Sequence, residues 1–421
     1  METTIHCFLP YLDENQVKGT VENLRQSSLV NKITLLATEP AAQACLGCDI
    51  MTIDSLNSSA TMRAIAERAD ADYILIYTKQ NTLVPGYLAL DRFARIAADS
   101  KAGMVYADYY TVVDGVKSNA PVIDYQAGSL RDDFNFGSVL FFNSVDFKRA
   151  AAGINKKYTA AGLYDLRLRL SRIAPIVHIN EYLYSDVTID NRKSGEKIFD
   201  YVDPKNRGVQ IEMEEACTDH LKAIGGYLEP VFEPIEFNRG DFKNEASVII
   251  PVRNRVRTIR DAIRSVLSQK TDFPFNLIVI DNGSTDGTTE AIDEFAGDPR
   301  VIHIIPERDD LGIGGCWNLG ANHPEAGKFC VQLDSDDVYA DENTLAKMVK
   351  AFYDNNSAMV VGTYMLTDID MNMIPPGVID HKEWTPENGR NNALRINGLG
   401  APRAFYTPML REIHVPNTSY G

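Results

Sequence analysis

The chain has 421 residues, which suits two or three domains because single hydrophobic cores stop growing near about 250 to 300 residues. Its 44% hydrophobic and 24% charged residues are ordinary for a folded protein and exclude a disordered or fibrous chain. The 58 acidic and 42 basic residues give a net charge of -16, which repels nucleic acid and anionic lipid, so no nucleic-acid partner is expected.

The sequence also bears on the cellular compartment. The six cysteines are scattered, and neither a signal peptide nor an apolar run of about 18 residues is present. No transmembrane segment is therefore predicted. The predicted location is the cytoplasm, with peripheral attachment to the inner face of the membrane as a second option.

The first elements predicted along the chain are a strand, a helix and two further strands. Residues 7–17, CFLPYLDENQV, predict a strand that stops at a proline, followed by a helix with apolar residues on one face. The apolar runs at 32–38 (KITLLAT) and 72–81 (DYILIYTKQN) predict strands. Strands that alternate with helices indicate a mostly parallel sheet.

A helical connector follows this first set of elements. Residues 208–228 predict one helix closed by two glycines, and the prolines and charges of 229–245 are typical of a surface segment. The expected organisation is a degenerate domain at 1–191, a helical linker at 192–245 and a second domain at 246–421.

The second domain repeats the plan of the first. The run SVIIPVRN at 247–254 again predicts a strand stopped by a proline, and apolar residues from Ile259 recur on one helical face. Further strands are predicted at 276–282, 301–305 and 328–333. The expected fold class is α/β, with two tandem Rossmann-like domains that each contain a mostly parallel sheet.

Acidic residues follow two strands of the second copy but not the matching strands of the first. Asp281 ends one strand and DSDD at 334–337 follows another, whereas the first copy has Ala37, Thr38 and TKQN at 78–81. Ligands bind at the carboxyl ends of parallel strands. Crowded carboxylates need a cation or hydrogen-bond donors, and their oxygens suit Mg²⁺ or Mn²⁺ shared with a substrate's phosphates. For Asp281 alone, a turn or helix cap is an equal alternative.

The motifs SVIIPVRN, VIDNGSTDGT and VQLDSDDVYADENTL together resemble family 2 glycosyltransferases of the GT-A fold. The resemblance covers 246–421 well and the first 190 residues more weakly, as a GT-A-like copy without the D-x-D motif. It implies an inverting enzyme that uses a nucleotide sugar, most simply a UDP-sugar, with Mn or Mg as cofactor. The implied acceptor is a cell-surface polysaccharide, another glycan or a lipid-linked glycan, and a homo-oligomer is an open option.

The resemblance also implies roles for individual residues. Arg253 and Trp317 depart from the family pattern, since an aromatic residue and an arginine are usual at these positions. Trp317 either stacks on a ligand or packs in the core. The residues implied to bind the nucleotide sugar are Pro251, Val252, Asn254, Asp281, Asp334 and Ser335, and those implied to bind the metal are Asp336 and Asp337.

No catalytic base stands at the expected place within the chain. Asp165, in GLYDLRLRL, marks that place in the first copy, and the internal alignment puts its counterpart within roughly ten residues beyond Gly421. We therefore expect the base beyond Gly421, so that a fragment without it would be inactive. Glu412 and Asp380 are the candidates inside the chain.

Two other functions remain open at this stage. One is a non-catalytic module that binds a glycan or a nucleotide. The other is a sugar-phosphate nucleotidyltransferase, which requires a glycine-rich loop after the first strand, whereas PVRNRVRT at 251–258 contains no glycine. Metal-dependent binding of UDP distinguishes the transferase from the non-catalytic module.

Overall fold

The computed structural model describes residues 3–39, 44–126, 128–188, 207–308, 310–382, 384–396 and 402–413. These residues form two compact units. Unit 1 consists of the described residues of Met1–Pro230 and Trp384–Ile396, and unit 2 consists of those of Val231–Glu383 and Asn397–Gly421. No helix within the described ranges has the length and apolar character needed to cross a membrane.

Unit 1 is built around one large sheet. Its strands are β1 (Ile5–Tyr11), β2 (Val30–Ala37), β3 (Ala44–Cys45), β4 (Cys48–Thr52), β5 (Tyr73–Tyr77), β6 (Thr82–Pro85), β7 (Met104–Val113), β8 (Val116–Ala120), β9 (Val139–Asn143) and β10 (Ile176–Val187). The strand order is β3-β4-β2-β1-β5-β9-β7-β10-β6, with β8 paired to β7. The central strands β4, β2, β1 and β5 are parallel, and β9 joins them antiparallel.

Helices cover this sheet, and its central strands are therefore buried on both faces. Strand β5, for example, is buried throughout. These helices are α1 (Glu14–Leu24), α2 (Ser59–Arg68), α3 (Ala89–Ser100), α4 (Ser144–Ala152), α5 (Gly162–Leu170) and α6 (Arg207–Ile224). The helix predicted in the connector is α6. It ends before Gly225, whose φ of 74° is the left-handed conformation that commonly closes a helix. Its residues Ala216, Cys217 and Leu221 are buried in a cluster with residues of α5, so α6 is packed within unit 1.

Unit 2 contains a smaller sheet of the same design. Its strands are β11 (Ala246–Val252), β12 (Phe275–Asp281), β13 (Val301–Ile304), β14 (Phe329–Gln332), β15 (Met359–Val361), β16 (Tyr364–Thr367), β17 (Met373–Ile379) and β18 (Arg403–Tyr406). The sheet order is β13-β12-β11-β14-β18-β15, and β16 and β17 form a separate hairpin. The helices of unit 2 are α7 (Ile259–Leu267), α8 (Thr288–Asp293), α9 (Gly312–Ala321), α10 (Thr344–Asn355) and α12 (Thr407–Ile413). Helix α11 (Gly389–Asn392) lies in the Trp384–Ile396 segment of unit 1.

The two sheets repeat the same arrangement. In each, four parallel strands are followed by an antiparallel strand, which is β9 in unit 1 and β18 in unit 2. The pairing of Tyr11 with Ala37 matches that of Val252 with Asp281. The predicted α/β class with two tandem parallel-core sheets is confirmed.

The proline of each first strand lies inside the strand, although the sequence predicted a stop there. Pro251 pairs with Ile280 of β12, and the pairing of β11 with β14 ends earlier, at Ile249. Pro251 therefore has a paired neighbour on one side only, where its missing N–H is tolerated. The strand continues by one residue, to Val252.

One segment from late in the chain is packed within unit 1. Arg395 in this segment is 1% exposed, and its guanidinium donates hydrogen bonds to Asp132, to Gln210 at 2.9 Å and to Asn392 at 2.9 Å. A buried arginine is tolerated only when its charge is paired and its donors are used. The Trp384–Ile396 segment is thus held to unit 1 by polar contacts.

Candidate functional site

The predicted site residues come together at one edge of the unit 2 sheet. Strand β11 is parallel to both β12 and β14, so the carboxyl ends of these three strands lie side by side. Asp281 is the last residue of β12, and Asp334 to Asp337 follow β14. The hydroxyl of Thr258 donates a hydrogen bond to the carbonyl of Ser335 at 2.9 Å, which joins the loops after β11 and β14. The sequence prediction that these strand ends converge is therefore met.

Asn254 connects the loop after β11 to the loop after β12. Its φ is 55°, in the left-handed region that asparagine tolerates better than most residues. Its side-chain Oδ1 accepts a hydrogen bond from Thr285 N at 2.8 Å, and its own N–H donates to Ser284 Oγ at 3.0 Å. Asn254 therefore fixes the two loops to each other, and its implied contact with a nucleobase stays a prediction.

Asp281 is fully buried and engaged within its own loop. Its Oδ1 accepts a hydrogen bond from Ser284 N at 3.0 Å, and its Oδ2 accepts one from Thr289 Oγ1 at 2.5 Å. Pro251 and Val252 are also buried. In this structure these residues shape the sheet edge, whereas their proposed contacts with a base remain untested.

Sequence analysis missed the polar residues that complete this pair of loops. Asp286 accepts hydrogen bonds from Val256 N at 3.2 Å and from the hydroxyl and N–H of Thr288. The hydroxyl of Thr288 also accepts one from Arg255 N at 2.8 Å. The serine, threonine and aspartate run STDGT was the available signal, because such side chains commonly bind nearby backbone groups in turns.

Residues 334–337, which follow β14, bring three carboxylates close together. Asp334 is partly buried, whereas Asp336 and Asp337 reach solvent. Desolvation, followed by the charge of Asp336, raises the pKa of Asp334, and the nearby Arg403 opposes that rise. Desolvation by surrounding protein and the charges of Asp334 and Asp336 raise the pKa of Asp337 to about 6. The carboxylates therefore repel one another, and a cation would relieve that repulsion.

Two arginines beside these acids were not anticipated from the sequence. Arg255 Nε lies 3.5 Å from Asp336 Oδ2. Arg403 lies on β18, next to the carboxyl end of β14, and its buried Nε has no hydrogen-bond partner. Its position depends on the antiparallel pairing of β18 with β14, which no local motif encodes. These guanidinium groups place positive charge beside the crowded carboxylates.

The acids fit the donor chemistry of a magnesium or manganese ion. Within the ranges described, no group of three or more His, Cys, Asp or Glu side chains is arranged to hold a metal. Mg²⁺ is commonly held by only one or two carboxylates, with substrate phosphates and waters completing the shell. Asp336 and Asp337 can supply those carboxylates, so the residues present fit a metal that binds together with a nucleotide.

The candidate bases are ion-paired in this structure. Glu412 pairs with Arg239, and the ammonium group of Lys382 lowers the pKa of Asp380. In unit 1, Asp165 is buried against Arg169, with Nε 2.9 Å from Oδ1. The position expected beyond Gly421 lies outside the described residues.

Trp317 packs against an apolar cluster that includes Ile249, Ile280 and Cys316. This contact accords with the packing alternative for Trp317.

Two solved structures are locally similar to this chain. S. aureus TarS 1–349 in complex with UDP-GlcNAc is 22% identical, with 41% of this chain and 48% of that chain covered and a TM-score of 0.33. The mannosyltransferase PcManGT from Pyrobaculum calidifontis, in complex with GDP-Man and Mn²⁺, is 19% identical, with coverages of 53% and 61% and a TM-score of 0.31.

Several bacterial proteins are similar in sequence. An uncharacterized glycosyltransferase of Rickettsia felis is 28% identical over 195 residues, which are 42% of this chain and 32% of that protein. One from Rickettsia bellii is 35% identical over 124 residues, or 30% of this chain and 17% of that protein. The glycosyltransferase GlyA of Streptococcus pneumoniae is 28% identical over 122 residues, or 29% and 17%. The chain thus spans about a third or less of the length of these relatives.

The family model of glycosyl transferase family 2 matches residues 247–412. This range begins at β11 and includes the loops after β11, β12 and β14 that form the site. The chain therefore carries a family 2 glycosyltransferase domain over residues 247–412.

Proposed function

We propose that the chain transfers a sugar from a nucleotide donor, most simply a UDP-sugar, to a glycan or lipid-linked acceptor with inversion at the anomeric carbon. The observation that carries this proposal is the convergence of Asp334, Asp336 and Asp337 with Arg255 and Arg403 at the sheet edge of a family 2 domain. A polysaccharide of the cell surface is the acceptor class we favour.

The proposed mechanism assigns binding of the leaving group to this edge. Asp336 and Asp337 would hold a divalent cation, Mn²⁺ or Mg²⁺, which when bound offsets the negative charge that develops on the departing nucleoside diphosphate. Arg403 would donate its unused Nε hydrogen bond to a phosphate oxygen. Asp334 and Ser335 would contact the ribose, and the loops joined by Asn254 would border the base.

The acceptor hydroxyl must lose a proton as it attacks the anomeric carbon. A carboxylate on the opposite face of the sugar would accept that proton. Within the chain, Asp380 and Glu412 are the candidates for this base. Asp380 would have to leave Lys382, and Glu412 would have to leave Arg239, before acting as a base.

Calorimetric titration of UDP into the full chain, with Mn²⁺ or with EDTA, tests the donor site. We expect Asp336→Asn and EDTA each to weaken UDP binding at least tenfold. Asp272→Asn is the matched control, because this exposed aspartate precedes β12 and therefore lies at the opposite end of that strand. UDP binding that is absent in the folded wild type, or that persists unchanged in EDTA and in Asp336→Asn, would contradict the proposal.

A further inference from the structure

Unit 1 has a cavity of about 810 Å³ at the sheet edge that corresponds to the donor edge of unit 2. Its walls are formed by the ends of β1, β2, β7 and β10 and by the loop after β5. Because Tyr73 of β5 lies opposite Ile5 as Phe329 lies opposite Ala246, residues 78–81 take the places of 334–337. The cavity therefore occupies in unit 1 the position that the proposed donor site has in unit 2.

The charges on the cavity wall do not suit a nucleoside diphosphate. Its charged lining residues are Lys79, Asp54 and Asp186, which together carry one net negative charge. Lys79 Nζ lies 3.3 Å from Asp186 Oδ2, so the lysine charge is already compensated. The place of the metal-binding acids is taken by the neutral Gln80 and Asn81. A diphosphate would find no free positive charge at this edge, and the positions that match Asp336 and Asp337 carry no carboxylate to share a cation.

Asp186 is a buried carboxylate that fixes polar side chains of the wall. The residue is 1% exposed, and its Oδ1 accepts hydrogen bonds from Tyr77 OH at 3.1 Å and Asn81 Nδ2 at 2.6 Å. Its Oδ2 is buried and has no hydrogen bond, although Lys79 is near. The nearby Lys79 balances the charge of this carboxylate, so Asp186 orders Lys79 and Asn81 of the wall before a ligand binds.

Two hydrogen bonds of the Gln16 side chain fix the loops that border the cavity. Gln16 Oε1 accepts a hydrogen bond from Leu12 N at 3.2 Å, and Gln16 Nε2 donates to the carbonyl of Gln80 at 3.1 Å. The loops after β1 and β5 are thus tied together, which lowers the conformational cost of binding a ligand.

The remaining wall groups suit a polyhydroxylated, uncharged molecule. Thr38, Ser55 and Gln80 offer hydroxyl and amide groups, which both donate and accept hydrogen bonds as sugar hydroxyls do. The partly buried Tyr11 adds an aromatic side chain to the wall. From these contacts we infer that the cavity of unit 1 binds a neutral carbohydrate without a metal ion.

An array of neutral glycans probed with the full chain in EDTA tests this inference, followed by titration of the glycan with the strongest signal. We expect binding in EDTA, and binding three- to tenfold weaker in Gln80→Ala, which removes one amide but keeps the backbone carbonyl used by Gln16. Gln26→Ala, an exposed glutamine outside the cavity lining, is the matched control and should bind as the wild type does. Thr38→Trp should weaken binding by obstructing part of the cavity, with its melting temperature confirming the fold.

Asp336→Asn separates this site from the proposed donor site. Glycan binding that is unchanged in Asp336→Asn supports a site in unit 1, whatever the outcome of UDP titration. The inference is overturned if the folded wild type binds no neutral glycan in EDTA, or if Thr38→Trp binds as well as the wild type. Binding of UDP in EDTA that Thr38→Trp weakens would also overturn it, because the cavity would then be a nucleotide site.

Discussion

The conformation of Asn254 allows the strength of the loop connection to be measured. Asn254→Ala removes the hydrogen bond from Thr285 N, which at this exposed position costs about 0.5 to 1 kcal/mol, and places alanine at a φ of 55°, which adds about 1 kcal/mol. Asn254→Gly loses the same bond but relieves the backbone strain, so it should be about 1 kcal/mol less destabilising than Asn254→Ala. Asn254→Asp keeps an acceptor oxygen and should change stability by less than about 0.5 kcal/mol.

Tryptophan fluorescence can report the unfolding of unit 2 alone. The chain has two tryptophans, Trp317 in unit 2 and Trp384 in unit 1, so Trp384→Phe leaves a single reporter in unit 2. Urea unfolding of the three Asn254 variants in this background gives their relative stabilities if the slopes with urea agree. A glycine variant no more stable than the alanine variant would refute the role of the left-handed backbone. An aspartate variant as unstable as the alanine variant would refute the hydrogen bond.

Two further changes test unit 1 in a Trp317→Phe background, which leaves Trp384 as the reporter of its unfolding. Gly162→Ala should destabilise it by about 3 kcal/mol or more, because the new Cβ would overlap the backbone of Ser59; Gly208→Ala, with open space around its Cβ, should change stability by less than about 1 kcal/mol. Burial lowers the pKa of His220 from 6.5 to about 4, so native unit 1 binds fewer protons there than the unfolded chain and loses up to about 3 kcal/mol as the pH falls from 6.5 to 4. Urea unfolding at pH 7 and pH 4.5 should show a smaller acid loss in His220→Gln, and an equal loss would exclude this histidine as its source.

The central strands were predictable because their amino-acid patterns directly reflect how deeply the strands are buried. The residues of β12, FNLIVID, are buried throughout, and a strand covered on both faces reads as a continuous apolar run. The repetition of strand, helix and strand then predicted a parallel core and placed Asp281 and the acids at 334–337 at one edge.

Other features of the structure depend on contacts between segments that are distant in the sequence, so no local sequence pattern predicts them. Arg403 reaches the acids only because β18 pairs antiparallel with β14. Asn391 and Asn392 are 3% and 2% exposed, although a polar sequence of this kind ordinarily predicts a surface loop. Their burial becomes understandable only from the hydrogen-bond partners that tertiary structure brings to them, such as Leu228, whose N–H donates to Asn391 Oδ1 at 3.0 Å.

The placement of Trp384–Ile396 within unit 1 affects the order in which the protein can be completed during synthesis. The ribosome makes the chain from its amino end, so the parallel strands of unit 2 emerge before Arg395 can meet Asp132. Unit 1 therefore stays incomplete, with that polar surface exposed, until the parallel strands of unit 2 have been translated. Cutting the gene at residue 230 would not yield a finished first domain, because part of its interior is encoded more than 150 residues downstream.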